Sequence, residues 1–296
     1  MSLLNVLNFI VRHPINRGRP FASLLRFAKW QINSRLASTD LALDWINGSK
    51  FFARNGETGI TGNIYTGLHE FPDMGFLLHF LRPEDRFVDI GANVGSYTIL
   101  ASAVVGSESY AFEPVPSTYS RLLANIRLNA IESRVSTFNI GLGDVEDNLA
   151  FTSDLDTVNH VVSGIEPSVN PISIPVMPFD GLGLGAVPQL MKIDVEGYEK
   201  NVLIGAMNTL KAQQLHSVIM ELNGSGMRYG TADSDILSIM LDLGFLTYTY
   251  DPFSRSLVDL HGTILPIGNT IFIRNVDYVQ DRLLNAPQFR VLGRTI

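Results

Sequence analysis

Acidic side chains close several apolar, β-prone runs of this sequence: Asp89 in "RFVDIGANVGSYT", Glu113 in "ESYAFEP", Asp194 with Glu196 in "QLMKIDVEGYE", and Glu221 with Asn223 in "SVIMELN". Carboxylates so placed can accept hydrogen bonds from ribose hydroxyls, face a cation, or take a proton from an alcohol. The first run also carries Gly91, Asn93 and Gly95, a tight turn between a strand and a helix. Turns of that kind commonly cradle a phosphate on the freed N–H groups of a helix start. Here the spacing is not G-x-G-x-x-G, and the turn holds no Lys or Arg to meet a phosphate.

An acidic rim suits a ligand with ribose hydroxyls and positive charge better than a pyrophosphate. Glu113 follows Gly91 by 22 residues, the place of the acid that binds a ribose diol in dinucleotide folds. That feature fits NAD and S-adenosylmethionine equally. The missing glycine fingerprint weakens the first, while Asn93 offers donors and acceptors to the amino-acid tail of the second.

These residues need a scaffold that brings strand ends together. From Arg86 the chain alternates strand and helix: "RFVDIGA", "GSYTILASAVVG", "ESYAFEP", "PSTYSRLLANIRLNA" with Pro116 in its first turn, and "RVSTFNIGLGD" as a third strand. The rhythm lapses from Asp144 to Val187, where Pro167, Pro171, Pro175 and Pro178 break short alternating pieces, and an irregular insertion there is expected to serve a site. It resumes with "QLMKID", a helix "EKNVLIGAMNTLKAQ", "SVIMELN", a helix "SDILSIMLDLG", "FLTYTY" and, after a loop-rich return, "NTIFIRN". Such alternation indicates βαβ units in a parallel, doubly wound sheet, whose ligands sit at the carboxyl ends of the strands. Residues 1–67 read as an extension, 68–276 as the main domain with its insertion at 144–187, and 277–296 as a tail.

The whole chain of 296 residues has a net charge of -7 and no cysteine, which removes disulfides, thiolate metal sites and a cysteine nucleophile and makes the cytoplasm the expected compartment. The first 37 residues carry six basic side chains, Arg12, Arg17, Arg19, Arg26, Lys29 and Arg35, and no acid, so the rest balances to -13. An acidic body argues against nucleic-acid binding. The apolar run from Leu3 to Val11 falls short of a membrane span and lacks the flanks of a signal peptide. Phe21, Leu24, Leu25, Ala28, Ile32 and Leu36 recur at helical spacing. That amphipathic helix either packs on the main domain or on another subunit, or lies on a membrane surface with Trp30 at the interface; the sequence leaves the oligomeric state open.

"FVDIGANVGSYT", "AFEPVPSTYSRLLANIRLN", "MKIDVEGYEKNVLIGA" and "GNTIFIRN", in this order, resemble the FkbM family of S-adenosylmethionine-dependent methyltransferases from about Glu70 to Asn275. The resemblance implies a class I methyltransferase Rossmann-like α/β sandwich with a seven-stranded, mainly parallel sheet whose last strand is antiparallel. It implies O-methylation of an alcohol on a sugar, glycolipid or polyketide. Carried over by residue, Asp89, Gly91, Asn93 and Gly95 form the cofactor turn and Glu113 the ribose acid. Asn139 to Leu142, including Gly141, border the adenine with Asp144 near by, and Glu70 in "HEF" closes over the methionine end.

Asp194 is the first choice as general base and cofactor neighbour, Glu221 a second candidate, and Glu196 either a catalytic group or one that orients the following helix, on whose surface Glu199 is expected. A rival arrangement puts Mg²⁺ on Asp194, Glu221 and Asn223. His69, His160 and His261 lie in loops that could reach a substrate, whereas His13 and His79 read as structural. A nicotinamide-dependent oxidoreductase on the same sheet, or a non-catalytic binder of S-adenosylmethionine, are the alternatives from other classes.

Overall fold

A computed structural model describes residues 3–57, 60–153, 155, 158–164 and 171–296. The N-terminal part holds helices α1 (Leu3–Arg12) and α2 (Pro20–Leu36), a hairpin of β1 (Leu41–Asp44) and β2 (Lys50–Ala53), and the short α3 (Thr61–Thr66). Then come α4 (Phe71–Phe80), β3 (Arg86–Ile90), α5 (Ser96–Ile99) with a π-helical turn over Leu100–Val105, β4 (Glu108–Phe112), α6 (Pro116–Leu128) and β5 (Val135–Phe138). The insertion contributes β6 (Gly141–Leu142), β7 (Asp147–Phe151) and β8 (Ile172–Met177); Pro167 lies outside the described residues. The chain continues through β9 (Leu190–Ile193), α7 (Glu199–Gly205), α8 (Met207–Lys211), β10 (Ser217–Glu221), α9 (Asp233–Asp242), β11 (Leu246–Asp251), β12 (Ser256–Asp259) and β13 (Asn269–Ile273). It ends with α10 (Val276–Leu284) and a hairpin of β14 (Arg290–Val291) and β15 (Arg294–Thr295).

Apolar side chains of the central strands alternate between two cores. Phe87, Leu190, Ile219 and Ile271 pack under α4 and α10, and their neighbours Val88, Met191, Met220 and Phe272 pack with Val202, Leu203 and Ile236 of α7 and α9. A strand apolar on both faces must be covered on both, which makes an α/β/α sandwich. Among the described residues the sheet has eight strands in the order β12-β11-β13-β10-β9-β3-β4-β5. Pairings from β5 to β10 are parallel, and β13 runs antiparallel to both its neighbours. This is the expected class I methyltransferase architecture, with one addition: the loop-rich return holds β12, which pairs antiparallel with β11 at the edge. The chain runs outward from β3 through β4 to β5 and then crosses back to β9 on the other side of β3. The order therefore reverses between β3 and β9, and the crevice opens there.

Three segments depart from the linear reading. "RVSTFNIGLGD" is two strands, because Asn139 turns inward to donate to the carbonyls of Glu113 and Pro114, and Gly141–Leu142 pairs with β8 in a separate three-stranded sheet. The helix after β9 breaks at Ala206, just where Gly205 presses on the Gly143 carbonyl so closely that a Cβ would stand 1.9 Å from its oxygen. Residues 277–296, read as a tail, bury Leu283, Phe289, Val291 and Ile296 in the core.

α6 docks the β1–β2 hairpin through two asparagines one turn apart. Asn129 exchanges both hydrogen bonds with the backbone of Lys50, at 2.8 and 2.7 Å, as a neighbouring strand would. Asn125, fully buried, accepts from Phe52 N–H at 2.7 Å and donates to the Val94 carbonyl at 2.7 Å. Asn125→Ala strands a donor and an acceptor, and urea unfolding is expected to show a loss of about 2 kcal/mol.

The helix predicted at residues 21–36 is α2, and its apolar stripe faces outward rather than onto the main domain. Ser23, Trp30 and Ser34 are buried, whereas Phe21 and Leu36 are 80% exposed and Leu25 and Ile32 59% exposed. Trp30 is thus an inward residue and not an interfacial one. Asn16 ties this layer together: its amide donates to the carbonyls of Ile10 and Tyr65, and its oxygen accepts from Arg26 at 2.5 Å. Among the described residues no helix is long and apolar enough to cross a membrane.

Candidate active site

The ends of β3 and β9 meet at a glycine. Gly91 has φ +77°, and a Cβ on it would stand 1.9 Å from the Asp194 carbonyl oxygen, so only glycine lets the two strand ends approach this closely. Asn93 also takes a left-handed conformation (φ +51°), and its side-chain oxygen accepts from Val94 N–H at 2.7 Å. Gly95 (φ +93°) starts α5, where a Cβ would meet Leu122 at 2.6 Å. Asp89 is buried behind the turn and accepts from Thr98 N–H at 3.1 Å and from its hydroxyl at 2.6 Å, an anchor for the first turn of α5.

Glu113 closes the turn from the next strand. Its two carboxylate oxygens accept from the N–H groups of Asn93 and Val115, each at 2.9 Å. Burial pushes its pKa up to about 7 against those two bonds. Ile140, Gly141 and Leu142 line the same cavity beyond it, whereas Asp144 is turned to α7, where it accepts from Asn201 at 2.9 Å.

Beneath the crevice lies a polar network that the strand pattern concealed. Lys192 sits in the otherwise apolar β9 directly beside Asp89 of β3, is 4% exposed, and donates to Asp194 at 2.6 Å. Burial disfavours its charge, but Asp194, Glu70 and Asp89 outweigh that and raise its pKa. Its ammonium also lies 4.8 Å from the centre of the Tyr97 ring. On the far side, Asn269 donates to Glu70 at 3.0 Å and to buried Asp73 at 3.1 Å; burial and the charge of Glu70 hold the Asp73 carboxyl well above the usual range. A lone Lys inside "LMKI" was the sequence signal for this network; Asp73, Tyr97 and Asn269 left none.

Asp194, Glu196 and Glu221, on the loop after β9 and the end of β10, each offer an oxygen within 4.8 Å of the others. Glu196 takes a left-handed backbone conformation (φ +55°) and is followed by Gly197 (φ +106°), whose Cβ would meet Ser225 backbone at 2.7 Å. Burial, then the charges of Asp194, Glu221 and Glu199, push the Glu196 pKa up to about 7. Glu199 is not a surface residue: it is 3% exposed and accepts from Gly197 N–H at 3.0 Å and Val195 N–H at 3.3 Å, so it shapes the loop that presents Glu196. Asn223 is exposed, accepts from Ser225 N–H at 3.0 Å and hydrogen-bonds the Glu221 carboxylate, so it borders the carboxylate cluster.

The turn, Glu70, Glu113, Lys192, Asp194, Glu196 and Glu221 line one cavity of about 880 Å³. Its inner end is the turn, Glu113 and the carboxylates; Lys192 is the only Lys or Arg among its described lining residues. Its outer wall is apolar and comes from the N-terminal layer: Leu3, Val6 and Phe9 of α1, Phe27 and Trp30 of α2, and Tyr65 of α3. His69 lies on this wall against Phe9, and burial lowers its pKa, which keeps the ring neutral. Phe151, Asn159 and Val161 bring the insertion to the cavity, whereas His160 packs on the Val158 carbonyl and His261 is exposed.

A sequence profile described as the methyltransferase FkbM domain matches residues 89–247, more than half of the chain. Methyltransferase 1 of Beauveria bassiana (strain ARSEF 2860) is 29% identical over 176 residues, covering 51% of this chain and 70% of that protein. The hexuronic acid methyltransferase AglP of Haloferax volcanii is 30% identical over 152 residues, covering 50% of this chain and 59% of AglP. The crystal structure of methyltransferase FkbM from Methylobacillus flagellatus KT superposes with a TM-score of 0.46 at 16% identity, covering 73% of this chain and 52% of that one. The match thus spans less than two thirds of AglP and about half of the crystallised protein.

Proposed function

The chain belongs to the FkbM family of S-adenosylmethionine-dependent methyltransferases, and from that premise we propose that it methylates a hydroxyl of a neutral acceptor of the carbohydrate type. The carrying observation is the inner end of the cavity: a glycine turn without a cation, a buried carboxylate at the end of β4, and three further carboxylates beside the close contact of Gly91 with Asp194. This donor set fits the cofactor. Glu113 keeps a free lone pair on each oxygen that would meet a ribose diol, the Gly91–Gly95 turn would receive the amino-acid tail, Ile140 to Leu142 would flank the base, and Glu70 would border the methionine end. When bound, the cofactor supplies an electrophilic methyl group.

The chain's own residues must then hold the acceptor oxygen in line, about 3 Å from that carbon, and remove its proton. Glu196 suits proton removal better than Asp194, because Asp194 is engaged by Lys192 at 2.6 Å while the pKa of Glu196 is raised to about 7 by burial and by its acidic neighbours. AglP is named for a hexuronic acid, and that likeness supports a sugar acceptor. The acid-rich cavity would repel a uronate, hence a neutral ring.

Isothermal titration with S-adenosylhomocysteine tests the cofactor half. Micromolar binding is expected, weakened about tenfold in Glu113→Gln, which keeps one acceptor oxygen for the turn but loses the charge that strengthens the ribose bonds. Well-folded wild type that binds NAD and not S-adenosylhomocysteine would overturn it.

A further inference from the structure

We propose that the α1–α2 layer is a docking face that seats this protein on an anionic bilayer surface. α2 presents Phe21, Leu25, Ala28, Ile32 and Leu36 to the outside as one unbroken stripe, three or four residues apart, while its inward side carries Ser23, Arg26, Trp30 and Ser34. Leu3 and Leu4 of α1, 62% and 77% exposed, add to this apolar surface. A water-facing helix has the opposite arrangement, so this stripe requires a cover.

Charge selects the cover. Arg12, Arg17, Arg19, Lys29 and Arg35 are exposed, and no acidic side chain occurs in the first 37 residues. Lys29 lies one turn from both Leu25 and Ile32, and Arg35 one turn from Ile32, so cations flank the stripe as they do on helices lying in the headgroup plane. The remainder of the chain balances to -13, and that acidic body would turn this basic face towards anionic lipid. A second copy is the poorer cover: a two-fold contact through the stripe would bring the flanking cations Lys29 and Arg35 of both copies together, with no acid in the first 37 residues to answer them. The layer is also the wall of the cavity, and Leu3 is both exposed and cavity-lining, so the face that meets lipid borders the route to the carboxylates.

Flotation of the full chain with phosphatidylglycerol–phosphatidylcholine vesicles, beside pure phosphatidylcholine, tests the proposal without cofactor or turnover, and so independently of the methyl-transfer reading. The wild type is expected to float with the anionic vesicles, about tenfold more than with the neutral ones, and to be released by salt. Leu25→Glu combined with Ile32→Glu changes two exposed positions. It is expected to lower vesicle binding about tenfold or more while S-adenosylhomocysteine binding and the urea midpoint stay unchanged. A wild type that ignores anionic vesicles overturns the proposal. So does a double variant that floats equally well, or a dimer in sedimentation velocity that the same two substitutions dissolve, since the stripe would then be a contact between copies.

Discussion

Glu196→Gln is expected to lower kcat by about a hundred- to a thousandfold, the usual worth of a positioned general base, with little change in S-adenosylhomocysteine affinity. The carboxylate that must be ionised to accept the proton has a pKa of about 7, so in the wild type kcat/KM should rise with pH through that value and level off above it. Glu113 and Glu199 titrate in the same range, and the variant separates them: the acid limb should disappear with Glu196→Gln if Glu196 is the base. A chelator should leave wild-type turnover unchanged. Turnover abolished by EDTA and restored by Mg²⁺ would instead give Asp194, Glu196 and Glu221 to a cation. A variant that keeps both kcat and the limb would move the base elsewhere in the cluster, with Asp194→Asn as the next test.

Lys192→Met is expected to cost about 3 kcal/mol of stability in urea unfolding. The methionine fits the volume of the lysine stem, so the loss comes from charge: Asp89, buried beside it, and Asp194, bonded to it, lose their common cation. The figure lies at the lower end for a broken buried pair because the Asp194 side chain is 28% exposed and keeps some water. The pH dependence has a definite sign. Lys192 opposes the upward shift that burial gives Asp89, so its removal raises the folded-state pKa of Asp89 further above the unfolded value. The folded variant then holds more protons than its unfolded chain, and its deficit grows as pH rises and shrinks as pH falls. A deficit independent of pH would assign the loss to packing and not to charge.

The parts of this molecule that were legible in sequence are those where one residue type permits one backbone. The Gly91 turn, Pro116 at the start of α6 and the acids at strand ends are of this kind, because strand periodicity and turn chemistry act over a few neighbours. The parts that were not legible depend on distant partners. Nothing near Asn139 tells that its amide will bond carbonyls after β4 and end a strand, and nothing in "NVLIGAMNT" tells that Gly205 will meet the Gly143 carbonyl. The spacing of α2 defined a stripe but not its direction, since a periodic pattern has no inside until a neighbour supplies one. The carboxylates were readable as a set; their division of labour was not, because it rests on Lys192 reaching Asp194 and on Glu199 folding back onto Gly197.

The paired asparagines of α6 have a consequence for how the molecule breathes. Asn125 joins Phe52 of the hairpin to Val94 of the glycine turn with one rigid amide, and Asn129 fastens Lys50 a helical turn away. A fluctuation that frees the turn must therefore break the hairpin's seat as well, so hairpin, α6 and turn open and close as one cooperative unit. Local unfolding at the outer edge of the N-terminal extension is then a route by which the ligand crevice itself can open.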